Sequence, residues 1–544
     1  MSGQSQYREY RAMSWKHISS VVLALTAMLI HIIIFVALTA AHPERILEVD
    51  SLNVADISRS IISGVPVTSW QFPPSPYLVP EVMFHLPIAW LIDNVVYGQF
   101  VHAYLLSLGF LVTQLMLLRY IIGSRGVSVF AFVILVVGDA FLGARIDHSI
   151  ISPMYHFGTF VSVVIGMLLL ERVLFATHHW FRWFIGFSLL SCALVLSDWI
   201  FVGWFTLPSL VYVGLAFLLA GVSFRRIIVV VAVLLISVLL VRLVPYILPN
   251  AFPPQAWSGT GFSHMLAVFL SWADSIARFV ELFIHLATSR WWVFFYLIVG
   301  LFSLCCIPRR FTDGQSDETQ GFSRGFRLSV FVAIIITVNI FVIANHDQAP
   351  VRYLIPVYYL PVTVFLIGLT AHMMGRISQP IQRALIVVAL GMGSMQAYGA
   401  FQGIPKQSEI IAAAVDIDCF EGAAKTYDLN VGITDHLIVR KLNLLANTDA
   451  RLYQIYGGGL QKYWFQSSNH EYPDRYDFAV VNTVAKNASG IARVYYYLNE
   501  SLLESRAGPP DMRVFCKGYD ILVYHKTRTF ELEPEFCHHA KPCG

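Results

Sequence analysis

The stretch EVDSLNVAD, from Glu48 to Asp56, sets three carboxylates within nine residues, just after an apolar run. Carboxylates at a hydrocarbon edge can take a proton from a hydroxyl or hold a cation. Similar small groups recur at the ends of later apolar runs. Asp139, Arg145, Asp147, His148 and His156 form one, and Asp198 in LSDW another. His264, Asp274, Arg278, Glu281, His285 and Arg290 follow, and then His346, Asp347 and Arg352. Ionisable groups so close to lipid are costly and mark function by default. Each also has an ordinary reading. Asp139 and Asp198 can end helices or pair with a neighbouring Arg. His148 and His156 can anchor at an interface. His178 and His179 read as a solvated face, and Glu48 as a hydrated loop carboxylate.

The elements that must position these groups are membrane spans. The chain has 544 residues, of which 56% are hydrophobic and only 13% charged. Soluble domains carry nearer a quarter charged residues, so the composition is that of a polytopic membrane protein. A net charge of +3 gives no basis for a nucleic-acid partner. The first apolar run, roughly Ile18 to Ala41, is too long for a signal-peptide core and is expected to remain as a span. Further runs centre near 106–118, 127–138, 160–170, 184–196, 201–220, 227–240, 292–304, 328–343, 354–369 and 385–395. That makes about eleven spans at about 20 residues each. The stretch Val79–Ile92 is ambiguous, because it contains Pro80, Glu81, His85 and Pro87.

The positive-inside rule resolves it. If Val79–Ile92 does not cross, Arg119 and Arg125, Arg172 and Arg182, Arg225 and Arg226, Arg309, Arg310, Arg324 and Arg327, and Arg376 and Arg383 all fall inside. If it crosses, they all fall outside. Val79–Ile92 is therefore expected to be an interfacial helix on the outer face. Residues 1–401 form the membrane module, with a first outer loop over about 42–98 and a long outer loop over about 248–290. Residues 402–544 form an extracytoplasmic domain. The polar groups named above, other than the cytoplasmic His178 and His179, then lie on the outer side. A transporter would more often carry them at the midplane.

The tail has another grammar. VGITD (Val431–Asp435) reads as a strand running to a helix N-cap, and HLIVRKLNLLA as a helix. ARLYQIY, YDFAVVNT and YDILVYHK read as strands, giving a small α/β domain of ordinary single-domain size. YGGGL lacks the ending of a phosphate loop and reads as a turn. Cys419, Cys516, Cys537 and Cys543 lie in this domain, where disulfides are permitted. Four cysteines allow three pairings, of which Cys419–Cys516 and Cys537–Cys543 are expected.

An Asp a few residues beyond the first span, then ADISRSIISGVP, then FPPSPYLVP, resembles the polytopic glycosyltransferases of the GT-C type. PVRYLIPVYYLP, from Pro350 to Pro361, is similar to an Arg-Tyr-x-x-Pro segment of several of them. The resemblance implies a GT-C-like fold. Its donor is a polyprenyl-phosphate sugar, its acceptor a glycan or lipid-linked glycan, and its surroundings are membrane lipids. It implies Asp50 as the base, although Asp50-Ser51 departs from the acidic pair of some members and leaves Glu48 as the alternative. Arg352, with Tyr353, is implied to hold the carrier phosphate. Asp147, His148, His156, Asp198, His346, Asp347 and Glu48, polar groups at the outer membrane edge, are expected to meet substrate.

The implied chemistry is coherent. A departing phosphate needs positive charge, which Arg can supply through charge-assisted hydrogen bonds. One carboxylate base suffices for inversion at the anomeric carbon. No cofactor is required, and dependence on a divalent metal stays open. The expected location is the bacterial inner membrane, with site and tail facing the periplasm. The rival reading is a flippase or exporter of lipid-linked sugars.

Overall fold

The computed structural model describes residues 3–42, 46–66, 70, 72, 75–122, 128–143, 156–176, 178–248, 252, 271–306, 324–345, 351–456, 461–462, 475–483, 498–529, 536–537 and 541–542. Helix α1 (Gly3–Ala40) leads into a short α2 (Val49–Ile62). A π-turn (Leu78–Val82) and α3 (Met83–Leu91) complete the first loop. Then come α4 (Val95–Ile122), α5 (Val129–Gly143), α6 (Phe157–Phe175) and α7 (Trp180–Ser197). A second π-turn (Val202–Thr206) opens α8 (Leu207–Ala220), followed by α9 (Phe224–Ile247). Next are α10 (Trp272–Ser289), α11 (Trp291–Cys305) and α12 (Arg324–Ala344). A 3₁₀ turn (Val351–Leu354) precedes α13 (Ile355–Arg376) and α14 (Gln379–Gln402).

Among the described residues nine helices are long and apolar enough to cross a membrane, or ten if α10 and α11 are one broken span. This fits an integral membrane protein. Of the eleven runs expected, the one left over is α5, whose described apolar part, Val129–Ala140, is short. Leu78–Leu91 is also too short to count as a span. Residues 272–289, expected as part of a loop, are a helix meeting α11 at 93°. Their apolar side explains it: Phe279, Leu282 and Leu286 join the main core, while Asp274, Arg278 and Glu281 are exposed. Such one-sided spacing stabilises a helix against a neighbour.

Helix α4 runs about 42 Å, at 1.5 Å per residue. Its two ends differ in chemistry. At its C-terminal end the Tyr120 ring lies 5.0 Å from the Arg172 guanidinium and 5.5 Å from that of Arg324. Arg324 donates to the Tyr120 carbonyl at 3.2 Å, and Arg226 to the Leu174 carbonyl at 2.7 Å. Arg327 Nε donates to the buried Glu171 carboxylate at 3.1 Å, and the Tyr120 and Tyr212 hydroxyls donate to the same group. The basic residues of three separate helices thus gather at one end of the bundle. At the N-terminal end of α4, Val95 and Val96 pack with Leu52 and Ala55 of α2 and with Ile410 of the tail.

The tail begins with α15 (Gln407–Ala414) and α16 (Ile417–Tyr427). Strand β1 (Val431–Thr434) leads to α17 (His436–Leu445), then β2 (Arg451–Tyr456) and β3 (Gln461–Lys462). Strand β4 (Arg475–Asn482), α18 (Glu500–Ala507), β5 (Met512–Cys516) and β6 (Tyr519–Thr529) follow. The main sheet has the order β3-β2-β1-β4-β6-β5, and a small hairpin joins β7 (Phe536–Cys537) and β8 (Lys541–Pro542). Strand β1 runs parallel to β2 and β4, and the other pairings are antiparallel. Phe420 of α16 and Leu442 of α17 cover one face, and Leu503 of α18 the other. A Cβ on Gly432 would meet the Phe478 ring at 2.4 Å, so β1 needs glycine there.

The Asp435 side chain accepts from the Leu437 amide at 2.9 Å and caps α17. Cys419 and Cys516 are joined by a disulfide, tying α16 to edge strand β5. The expected pairing of Cys537 with Cys543 involves a residue outside those described.

Candidate functional site

Among the described residues, the polar side chains expected on the outer side include two groups. The first is a buried hub at the end of α7. Asp198 is its centre. Its carboxylate accepts from His156 Nδ1 at 2.5 Å, from Thr159 at 2.6 Å and from Ser75 at 2.9 Å. Three aromatic rings surround the His156 ring, with centroids at 5.2 Å (Tyr77), 5.7 Å (Tyr353) and 5.9 Å (Trp204). Trp204 Nε1 donates to the Tyr353 carbonyl at 3.1 Å. The loop is fastened here by its backbone: the Tyr77 amide donates to the Ser197 carbonyl and the Val79 amide to the Ser197 hydroxyl.

Asp198, His156 and Tyr353, expected separately as substrate or carrier contacts, are thus brought together. Burial works to raise the Asp198 carboxyl, but the His156 partner and the hydroxyl donors outweigh it and hold it below the ordinary value. Asp198 does not pair with an Arg among the described residues, and His156, 3% exposed, is no interfacial anchor. Asp139 likewise binds no Arg among the described residues. It receives Gln114 at 3.0 Å and lies 3.4 Å from His31.

Beside the hub lies Glu81, fully buried, its carboxylate set against the Gly158 and Thr159 amides at the start of α6, which oppose the effect of burial. Gly158, in the first turn of α6, makes room for it, because a Cβ there would meet Glu81 Oε1 at 2.7 Å. Burial, then the charge of Asp198, pushes the Glu81 carboxyl up to about 8. His85 and His102 are buried together, with ring centroids 5.1 Å apart. Burial, then the Arg59 charge, pushes His85 down to about 4.

The second group lies where α2 meets the tail. Asp50 and Asp56 are polar positions of a helix that buries Val49, Leu52, Val54, Ala55 and Ile57. Asp50 lies 3.7 Å from His436 Nε2. Asp56 lies 3.8 Å from Arg440 Nε, and Arg440 also reaches Gln454 Oε1 at 3.3 Å. The Asp50 side chain keeps 27% of its surface accessible. Glu48 is the N-cap residue of α2 and makes no capping bond with its side chain. A cleft of about 430 Å³ opens along α17 and β2, from Asp56 past Arg440 to Asp449 and Arg451.

Asp147, His148, His346 and Asp347 lie outside the described residues. Arg352 is placed by its backbone in the 3₁₀ turn, one residue before Tyr353. Reading the sequence missed Glu81, His85, His102, His436 and Arg440. For His436 a signal existed: it follows the N-cap Asp435 at the carboxyl end of β1, between the strands where the sheet order reverses. Such switch points are where open α/β sheets place ligands. Among the described residues no group of His, Cys, Asp or Glu is arranged to hold a metal.

No protein-family model, no curated protein and no solved structure matches the chain.

Proposed function

We propose that this chain is a membrane glycosyltransferase of the GT-C type. It moves a sugar from a polyprenyl-phosphate carrier to a hydroxyl of a glycan or lipid-linked glycan. The observation that carries the reading is the placement of Asp50. It stands partly accessible on a helix too short to span, at the end of the bundle away from the gathered arginines. Asp198, by contrast, is fully buried with both oxygens engaged and is unsuited to meet a substrate. Its role is to fix the loop against α6 and α7. By the positive-inside rule the arginine end faces the cytoplasm, so Asp50 and the tail face the periplasm or an equivalent lumen.

In the step, the acceptor oxygen attacks the anomeric carbon and its proton passes to the Asp50 carboxylate. The bond from the anomeric carbon to the phosphate oxygen breaks, and its electron pair leaves with polyprenyl phosphate. Arg352 supplies the positive charge that the departing phosphate needs. The products are an inverted glycoside and the free carrier.

The test is transfer of a labelled sugar from polyprenyl phosphate in proteoliposomes holding the purified chain. Asp50→Asn keeps shape without basicity and is expected to lower turnover by about 10²–10⁴-fold, the usual worth of a general base. An unchanged rate in Asp50→Asn with an inactive Glu48→Gln moves the base to Glu48. Unchanged rates in both remove the reading.

One observation favours a second reading, a flippase or exporter of lipid-linked sugars. Glu81, His85 and His102 are three buried ionisable side chains close together beside the bundle core, as in proton relays of transporters. Carrier-linked sugar that crosses the bilayer without transfer, driven by a pH gradient and abolished in Glu81→Gln, would decide for it.

A further inference from the structure

The cleft between α2 and the tail is lined differently from the buried hub. Asp56, Asp449, Arg440 and Arg451 all line it, so its formal charges cancel. Asn443 and Gln454 add amide groups, and Thr448 a hydroxyl. A lining that balances two carboxylates against two guanidinium groups gives no net attraction to a phosphate or a polycarboxylate. It offers instead paired donors and acceptors in planar side chains, which match vicinal hydroxyls. The volume of about 430 Å³ is within the range of about 300–1,000 Å³ usual for small-ligand sites.

The walls are held in place. Asn443 of α17 both donates to the Leu452 carbonyl at 2.9 Å and accepts from its amide at 3.0 Å, which locks α17 onto β2. Asp56 and Arg440 join the opposite wall to α17. The cleft reaches α2, the helix that also carries the accessible carboxylate. Asp56 stands six residues beyond Asp50 on α2, about 9 Å of helix rise.

The geometry points to this cleft as a binding site for a neutral saccharide, the acceptor glycan, held by the tail so that its next sugar reaches Asp50. The assignment rests on the glycosyl-transfer reading. The tail then contributes recognition, through Arg440, Asp449 and Arg451, and the membrane module contributes the base.

The experiment is saturation-transfer NMR on the full chain in nanodiscs, with glucose, galactose, mannose, arabinose and maltose as probes and inorganic phosphate as the anionic comparison. Wild type is expected to bind at least one saccharide and not to favour phosphate. The exposed pair Asp449→Ala and Arg451→Ala is expected to weaken that binding by at least about tenfold, through lost charge-assisted hydrogen bonds. Asp50→Asn is expected to bind as wild type does. No saccharide binding, phosphate binding alone, or equal binding by the Asp449→Ala and Arg451→Ala variants overturns the assignment. Saccharide binding that is lost in those variants, in a protein that transfers no sugar, upholds the cleft and overturns the enzyme reading, so the two failures are distinct.

Discussion

His436 Nε2 lies 3.7 Å from the Asp50 carboxylate, so the first residue of a helix in the tail touches the first turn of a helix in the membrane module. This contact competes with an ordinary account, in which Asp50 only ties its loop to Arg45 or Arg59. Arg59 is at the other end of α2, nine residues or about 13 Å away, and donates to the Asp93 carbonyl instead. Arg45 lies outside the described residues. If Asp50 were a fastener, Asp50→Asn would lower the melting temperature while the folded fraction kept its turnover. The expected result is the reverse. The Asp50–His436 contact is part-exposed, so its loss should cost at most about 1 kcal/mol, while turnover collapses. Both quantities are to be measured on the same preparation. A large fall in melting temperature with normal turnover would remove Asp50 from the chemistry.

A second expectation concerns sidedness. The Arg172, Arg324 and Arg327 side chains gather around Tyr120, and the tail packs at the other end of α4. A cysteine placed at Gly123 and another at Asn469, each in a background without competing thiols, should react with a membrane-impermeant maleimide from opposite sides. Labelling of both from one side would overturn this arrangement and end the periplasmic reading.

How much of this was legible in the chain depends on the range of the forces involved. The arginine end was readable because positive charge is distributed by a rule that acts on sequence position. The N-cap at Asp435 was readable because the cap and the amide it accepts from are two residues apart. The hub was readable only in pieces. His156 and Asp198 each stand out beside apolar runs, but 42 residues separate them, and nothing local says that they bond. Glu81 reads as a surface carboxylate in a proline-broken stretch, and its burial follows from a missing Cβ at Gly158 that no pattern reveals. The contacts of His436 and Arg440 with α2 join segments almost 400 residues apart, beyond any periodicity.

The Glu171–Arg327 pair yields a third expectation. Glu171 is fully buried and serves Arg327, Tyr120 and Tyr212 at once, joining α4, α6, α8 and α12. Glu171→Gln should leave Arg327 uncompensated and cost about 3–5 kcal/mol, the usual penalty for breaking a buried pair. Replacing both, as Glu171→Gln with Arg327→Met, should recover part of that loss. Thermal unfolding in detergent reads both. Single variants as stable as wild type would mean that water reaches the pair.

The disulfide gives a fourth. Cys419–Cys516 closes a separation of 97 residues and fastens edge strand β5 to α16. Breaking it should cost the tail about 2–5 kcal/mol, mostly by freeing the unfolded chain. Limited proteolysis of the full chain should then cut near β5 under reducing conditions and in Cys516→Ser. Equal protease resistance with and without reductant would show that the sheet holds β5 unaided.

The last expectation is a pH dependence seated in Asp435. The side chain is fully buried. Burial pushes its carboxyl up to about 7, against an ordinary value of 3.8, and the Leu437 amide and the Lys441 charge offset only part of this. The sign follows from linkage. Below pH 3.8 both folded and unfolded chains hold the proton, so the group changes nothing. Between there and about 7 the unfolded chain releases it and the folded chain keeps it. The tail should therefore lose stability as pH rises across that window and then level off. Every tenfold difference in proton affinity between the two states is worth about 1.4 kcal/mol, so the loss is on the order of a few kcal/mol. Asp435→Asn retains a cap of equal quality but no charge, and should flatten the profile while gaining stability at pH 8 relative to wild type. Hydrogen exchange of the β1 amides at pH 5 and pH 8, corrected for intrinsic rates, measures it. The same comparison in His436→Gln separates the neighbouring imidazole from the carboxyl. A slope that persists in Asp435→Asn and vanishes in His436→Gln would assign the dependence to His436 instead.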